Sequence, residues 1–156
     1  MSRQRLTIDN VDNRFTTTNL TNVLEDVIFP SGTAFIVTEN ANTVLTLPEA
    51  VPGINYCLYV AVDMTHSLII THTAGHQFRA NLRYVDKDTD GPSSFAGGST
   101  TEGYIYSIGT ETFIADADNK GRLRGTLIEI RCFVAGEWYV TGTLVGNGAV
   151  GSPFSD

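Results

Sequence analysis

The chain has 156 residues, a single domain's worth, and at that size roughly 68–70% of the unfolded surface is buried on folding, enough for a core without cross-links. Only 17% of the residues are charged, against about 25% in an average soluble protein, and Thr, Gly, Asn and Ser take up the difference. A net charge of −7, with lysine only at Lys87 and Lys120, excludes the basic footprint that nucleic-acid binding needs; no apolar run approaches the roughly 18 residues of a membrane span.

Residues 1–32 read as an extended N-terminal arm. Short apolar groups such as Leu6-Thr-Ile8 and Val23-Leu24 are spread among Asn, Thr and Asp without a lasting period, and Asn22 to Phe29 offers at most a helical turn that Pro30 would end. Met1-Ser-Arg-Gln-Arg5 is followed by no apolar stretch, so no secretory leader is expected. Arg3, Arg5 and Arg14 form a basic group interrupted by Asp9 and Asp12.

From Thr33 onwards the chain reads as strands. Ala34–Val37 and Val44–Leu47 are β-branched or aromatic runs parted by the turn Glu39-Asn-Ala-Asn42, and Pro48 with Pro52-Gly53 marks the next turn. Between Ile54 and Val62, Ile54, Tyr56, Leu58, Val60 and Val62 share one face, with Asn55, Cys57, Tyr59 and Ala61 on the other; both faces carry apolar groups, which predicts a central strand. Ser67–Thr73 follows the turn Asp63-Met-Thr-His66. Arg79–Gly103 reads as a long loop, with the charged run Asp86-Lys-Asp-Thr-Asp90. Strands resume at Gly103–Ile108 and Thr112–Ala115. A hairpin closes the pattern: Ile128, Ile130, Cys132 and Val134 face one way along Thr126–Val134, Ala135-Gly-Glu137 turns, and Trp138–Thr141 returns. Cys57 and Cys132 are expected as free thiols. No segment shows an amphipathic helix. The expected fold is all-β: a single-domain β-sandwich or jelly-roll-like barrel over 33–145, with the N-terminal arm and a flexible C-terminal tail at 146–156.

Motifs with chemical meaning each lack a necessary part. Gly146-Asn-Gly-Ala-Val-Gly151 fits GxGxxG, but a dinucleotide site needs a following helix, and Pro153 stands in its place. Asp86, Asp88, Asp90 and Gly91 resemble half of a calcium loop whose twelfth position is Gly97 in place of the bidentate Glu, and Asp116, Asp118 and Asn119 form a weaker acidic run. His66, His72 and His76 have no Cys or carboxylate at metal-ligand spacing, so turn or surface roles are expected for them. Tyr56, Tyr59, Tyr84, Tyr104, Tyr106 and Trp138 are expected in the core or at subunit contacts rather than on a sugar platform. No GxSxG, HExxH or Walker motif occurs, and neither a catalytic residue nor a cofactor is assigned.

Two stretches carry a resemblance. Thr43-Val-Leu-Thr-Leu-Pro48 with Val51-Pro-Gly53, and Leu127-Ile-Glu-Ile130 with Gly136-Glu-Trp-Tyr-Val-Thr-Gly142, resemble the opening and the closing hairpin of small β-modules in tailed-phage virion proteins. They frame roughly 33–145. Such modules occur in capsid decoration (cement) proteins and in tail-fibre tips, usually as trimers. The resemblance implies a non-enzymatic decoration protein made in the host cytoplasm and placed on the capsid surface, a homotrimer bridging major capsid subunits. A receptor- or glycan-binding tail-fibre tip is the alternative. Arg3, Arg5, Arg14 and Phe15 of the arm and Phe154 of the tail are the expected partner contacts.

Overall fold

A computed structural model describes residues 31–87, 103–109 and 112–155 of the chain. The described residues are all-β apart from one 3₁₀ turn at Asp118–Lys120. Ten strands form two sheets packed as a sandwich in a single domain. In chain order they are β1 (Thr33–Val37), β2 (Thr43–Thr46), β3 (Asn55–Val60), β4 (Leu68–Thr71), β5 (Gln77–Asp86), β6 (Gly103–Gly109), β7 (Thr112–Ala115), β8 (Leu127–Val134), β9 (Glu137–Gly146) and β10 (Phe154–Ser155). The larger sheet runs β1-β3-β8-β9-β5-β6 and the smaller β10-β7-β4-β2.

The first four strands alternate between the sheets, so that β1 lies parallel to β3 and β2 parallel to β4. One turn of chain is thus stacked on the next. Parallel neighbours need a crossover of a dozen or more residues, and the strand in the opposite sheet supplies it. Asparagines stitch the stacked corners together. The Asn40 carboxamide oxygen accepts from the Thr65 amide at 2.7 Å, and that of Asn42 accepts from the Ser67 amide at 3.2 Å.

The predicted 79–103 loop is corrected over its first part. Gln77–Asp86 is a ten-residue strand, parallel to β9 along its whole length and antiparallel to β6. Its alternation is clear once the charged positions are read as one face: Phe78, Ala80, Leu82 and Tyr84 are buried, while Arg79, Asn81 and Arg83 point away from the core. Residues 88–102 lie outside the described residues, and with them Asp88, Asp90 and Gly91 of the acidic run.

Inner-face residues form registered rows. Phe35, Leu58, Ile128, Gly142 and Leu82 make one, and Tyr56, Ile130, Val140 and Ala80 the next. They close against Leu45, Leu68, Ile70, Phe113 and Ala115 of the smaller sheet. Gly142 holds φ +138, and an added Cβ would strike the Leu127 carbonyl, so the row admits no side chain there. The predicted hairpin forms, with Gly136 at φ +80 in the turn. Val134, expected on the inward face, is exposed, because the β8/β9 register shifts between Arg131 and Val134.

The C-terminal residues are not a flexible tail. Past β9 the chain folds back over the 3₁₀ turn: the Asn147 amide donates to the Asp118 carbonyl at 3.1 Å and the Gly151 amide to the Asn119 carbonyl at 2.9 Å. The Gly148 amide donates to the Asp86 carboxylate, and the Tyr84 hydroxyl to the Gly148 carbonyl, both at 3.1 Å. Strand β10 then pairs with β7. The GxGxxG segment leads into this strand, not a helix, which removes the dinucleotide geometry. Backbone groups of an irregular segment need partners, and here the body of the sandwich supplies them.

Candidate functional site

In the larger sheet β1, β3, β8, β9 and β5 each turn one face into the core, and the side chains of the opposite face are partly or fully exposed. Cross-strand register sets its side chains in three rows. Ile36, Tyr59, Leu127, Thr143 and Arg83 form the first; Ala34, Cys57, Glu129, Thr141 and Asn81 the second; Asn55, Arg131, Tyr139 and Arg79 the third. Seven large apolar side chains are exposed among the described residues. Five of them, Tyr59, Leu127, Phe133, Val134 and Tyr139, lie on this face or at its β8–β9 tip. Tyr59 and Leu127 are neighbours in the first row, and Phe133, Val134 and Tyr139 cluster at the tip, with Cys57, Glu129 and Thr141 in the row between. Clustered exposed apolar groups mark interaction surfaces more than scattered ones do.

Four of the charged side chains on this face form two ion pairs. Arg79 donates through Nε and Nη2 to the two carboxylate oxygens of Glu137, at 2.7 and 2.9 Å, a two-pronged contact with fixed geometry. The bond from Arg79 holds the Glu137 carboxyl below its ordinary range. Arg131 reaches Glu129 two residues back on β8 at 2.6 Å. Cys57 stands between Ala34 and Glu129; burial first, and the Glu129 charge second, push its thiol upward, so it is a weak nucleophile at neutral pH. Cys132 points into the core from β8, and both cysteines are free.

At the tip, Phe133 and Tyr139 meet at 5.9 Å with their rings inclined by 64°. A hollow of about 200 Å³ lies there, lined by Phe133, Val134 and Tyr139 and walled by Arg79 and Glu137. A second, of about 380 Å³, opens along Gly53, Ile54, Asn55, Arg131, Cys132 and Phe133. Phe133 is the side chain the two hollows share.

Comparison with family models, with curated proteins and with solved structures returns no match for this chain.

The structure disperses most of the residues that the sequence marked for chemistry. Asp86 is buried and holds the Gly148 amide. Asp116 pairs with Lys120 at 2.9 Å, and Asp118 with Arg122 at 2.9 Å. His66 bonds Asn40 at 3.1 Å in a turn, and the buried His76 contacts Glu49 through Nε2 at 3.1 Å. Among the described residues no group of three or more His, Cys, Asp or Glu side chains could hold a metal ion. Tyr56, Tyr84 and Trp138 are core residues, Tyr59 is exposed on the outer face together with Tyr139, and the side chains of Tyr104 and Tyr106 lie outside those described.

Of the expected contact residues, Arg3, Arg5, Arg14 and Phe15 lie outside the described residues. Phe154 is partly buried, its ring against Phe113 at 5.5 Å and Phe78 at 5.9 Å. Sequence reasoning missed Phe133, Val134 and Arg79. The available signal was the pair Phe133-Val134 directly before the Ala135-Gly136 turn, where alternation can bury at most one of the two.

Proposed function

We propose that the chain is a non-catalytic virion structural protein, a decoration module that docks on a phage shell and bridges major capsid subunits as a homotrimer. The supporting observation is the exposed outer face of the six-stranded sheet, where apolar side chains sit among ion pairs that already neutralise one another. Ion pairs already closed on a face can be desolvated together without stranding either partner. A protein that braces a shell needs a stiff body, and two packed sheets provide one. The motif resemblance at 43–53 and 127–142 directs the reading to the virion. Because the C-terminal segment is spent inside the fold, the outer face and the arm residues Arg3, Arg5, Arg14 and Phe15 are left for the shell in this proposal.

The test is co-sedimentation of purified protein with shells that lack it, followed by thermal challenge of the loaded shells. Saturable binding with raised shell stability is expected. Absence of binding, or shells equally stable with and without the protein, overturns the reading. A glycan-array signal lost on replacing Tyr59 or Tyr139 would favour the tail-fibre-tip alternative.

A further inference from the structure

β5 and β9 run parallel and in register to their ends, where Asp86 lies beside Gly146. The Lys87 amide extends the ladder by donating to the Gly146 carbonyl at 2.7 Å, which sets Lys87 beside Asn147. The Asn147 amide in turn donates to the Asp118 carbonyl at 3.1 Å, so both backbones are pinned. Lys87 and Asn147 line one cavity of about 320 Å³, together with Asp63, Asp118 and the buried Met64 and Leu123. The Lys87 ammonium bonds both Asp63 carboxylate oxygens at 2.8 Å. The Asn147 carboxamide oxygen is buried and has no hydrogen-bond partner among the described residues, an uncommon state for a buried amide. An amine, a carboxylate able to carry its proton and an unengaged carboxamide thus share one enclosure.

We propose that Lys87 and Asn147 join in an intramolecular isopeptide bond, with Asp63 as the proton carrier. Asp63 takes one proton from the Lys87 ammonium, which leaves a neutral amine. Nζ then attacks the Asn147 carboxamide carbon; the new C–N bond forms and the bond to Nδ2 breaks. The departing nitrogen takes a second proton from Nζ and the proton held by Asp63, and leaves as ammonium. Nζ keeps one hydrogen as an amide, and the Asp63 carboxylate is restored. Asn147 is the acyl donor in preference to Asp63. Hydrogen bonds from Lys87 and from the Arg124 amide hold the Asp63 carboxyl below its ordinary range, and an ionised carboxylate resists a nucleophile. Exchange between an amine and a carboxamide is very slow between separate molecules in water. Groups held in one geometry gain an effective concentration of up to ~10⁵–10⁸ M, and the flexible Lys87 stem lets Nζ pass from Asp63 to Asn147 within the cavity they share. The Lys87 side chain is 45% exposed, so the released ammonium has a path to solvent. The product clamps the end of β5 to the start of the C-terminal segment, closing a loop as a disulfide does but with no oxidant. This staple lies within the body of the fold and stands or falls separately from shell binding.

The experiment is intact-mass spectrometry of the purified full chain, followed by peptide mapping. The wild type should weigh one ammonia less than its sequence, and the peptides that carry Lys87 and Asn147 should appear joined. Lys87→Arg and Asn147→Ala should each show the full sequence mass and no joined peptide. Asp63→Asn should form the link roughly 10²–10⁴-fold more slowly, the loss expected when a proton carrier is removed. Far-UV circular dichroism and Trp138 fluorescence serve as folding controls, and the wild-type mass decides even where a variant fails to fold. A wild type that keeps its full mass after prolonged incubation overturns the proposal. So does an ammonia lost within the Asn147 peptide alone, which marks ring closure onto the Gly148 nitrogen, or a lost water with Lys87 joined to Asp63.

Discussion

On the inner face of the larger sheet one row runs Leu58, Ile128, Gly142 and Leu82; on the outer face the adjacent row runs Tyr59, Leu127, Thr143 and Arg83. The same four strands carry both rows, one residue apart. The inner row is wholly apolar and sealed by the second sheet, whereas the outer row mixes apolar with charged groups. An unpaired polar atom is costly away from water, so a row that faces the core is made of apolar groups. A face that must meet water when free and protein when bound carries both kinds of residue. The difference separates what holds this molecule together from what it can hold on to.

That separation can be broken most decisively at adjacent residues of β3. Leu58→Ala removes a fully buried side chain and should cost about 2–5 kcal/mol in denaturant unfolding. Tyr59→Ala, next to it, starts from a side chain 37% exposed and should change stability by about 0.5 kcal/mol or less. Comparable losses from the two would mean that the outer face is structural.

A smaller effect is expected at the C-terminus. Phe154→Ala strips an aromatic contact from Phe113 and Phe78 and should cost about 2 kcal/mol in thermal unfolding. No change would return this segment to the status of a loose tail.

Tyr84 sharpens the same point. Tyr84→Phe deletes the bond to the Gly148 carbonyl and should cost about 1 kcal/mol. Burial, then the negative charges of Asp86 and Asp118, push the hydroxyl up to about 12. A folded-state value raised above the ordinary value near 10 means that its stabilisation is complete below pH about 10 and is lost as pH rises through about 12. Ultraviolet titration should show Tyr84 ionising late, beside a Tyr56 hydroxyl that burial also raises, and Tyr84→Phe should remove its share of the late absorbance.

The smallest effect is chemical. Cys57 faces outward but its thiol is pushed up, so iodoacetamide should modify it more slowly at neutral pH than a free thiol, and faster as pH rises. Glu129→Gln removes one cause of that shift and should quicken the reaction, read by mass spectrometry. Cys132, in the core, should react only on unfolding.

Much of this fold was legible in the residues. The alternation of Tyr56, Leu58 and Val60, the Ala135-Gly136 turn and the strand at Thr112–Ala115 all emerged as read. β5 escaped notice because Arg79, Asn81 and Arg83 looked like loop composition until their face was known to be open. The candidate site was less legible, since Phe133, Val134, Tyr139, Arg79 and Glu137 become neighbours only through the β8–β9–β5 pairing.

Period-2 alternation and turn chemistry are local properties of the backbone, and from them alone follow the all-β class, the two-faced strands and the closing hairpin. The parallel pairings β1–β3, β2–β4 and β5–β9, the partial burial of Phe154 and the exposure of the outer face are set by long-range packing. Those outcomes depend on which distant segments together bury the most apolar surface against the entropy of closing long loops, a sum over the whole chain that no single segment records.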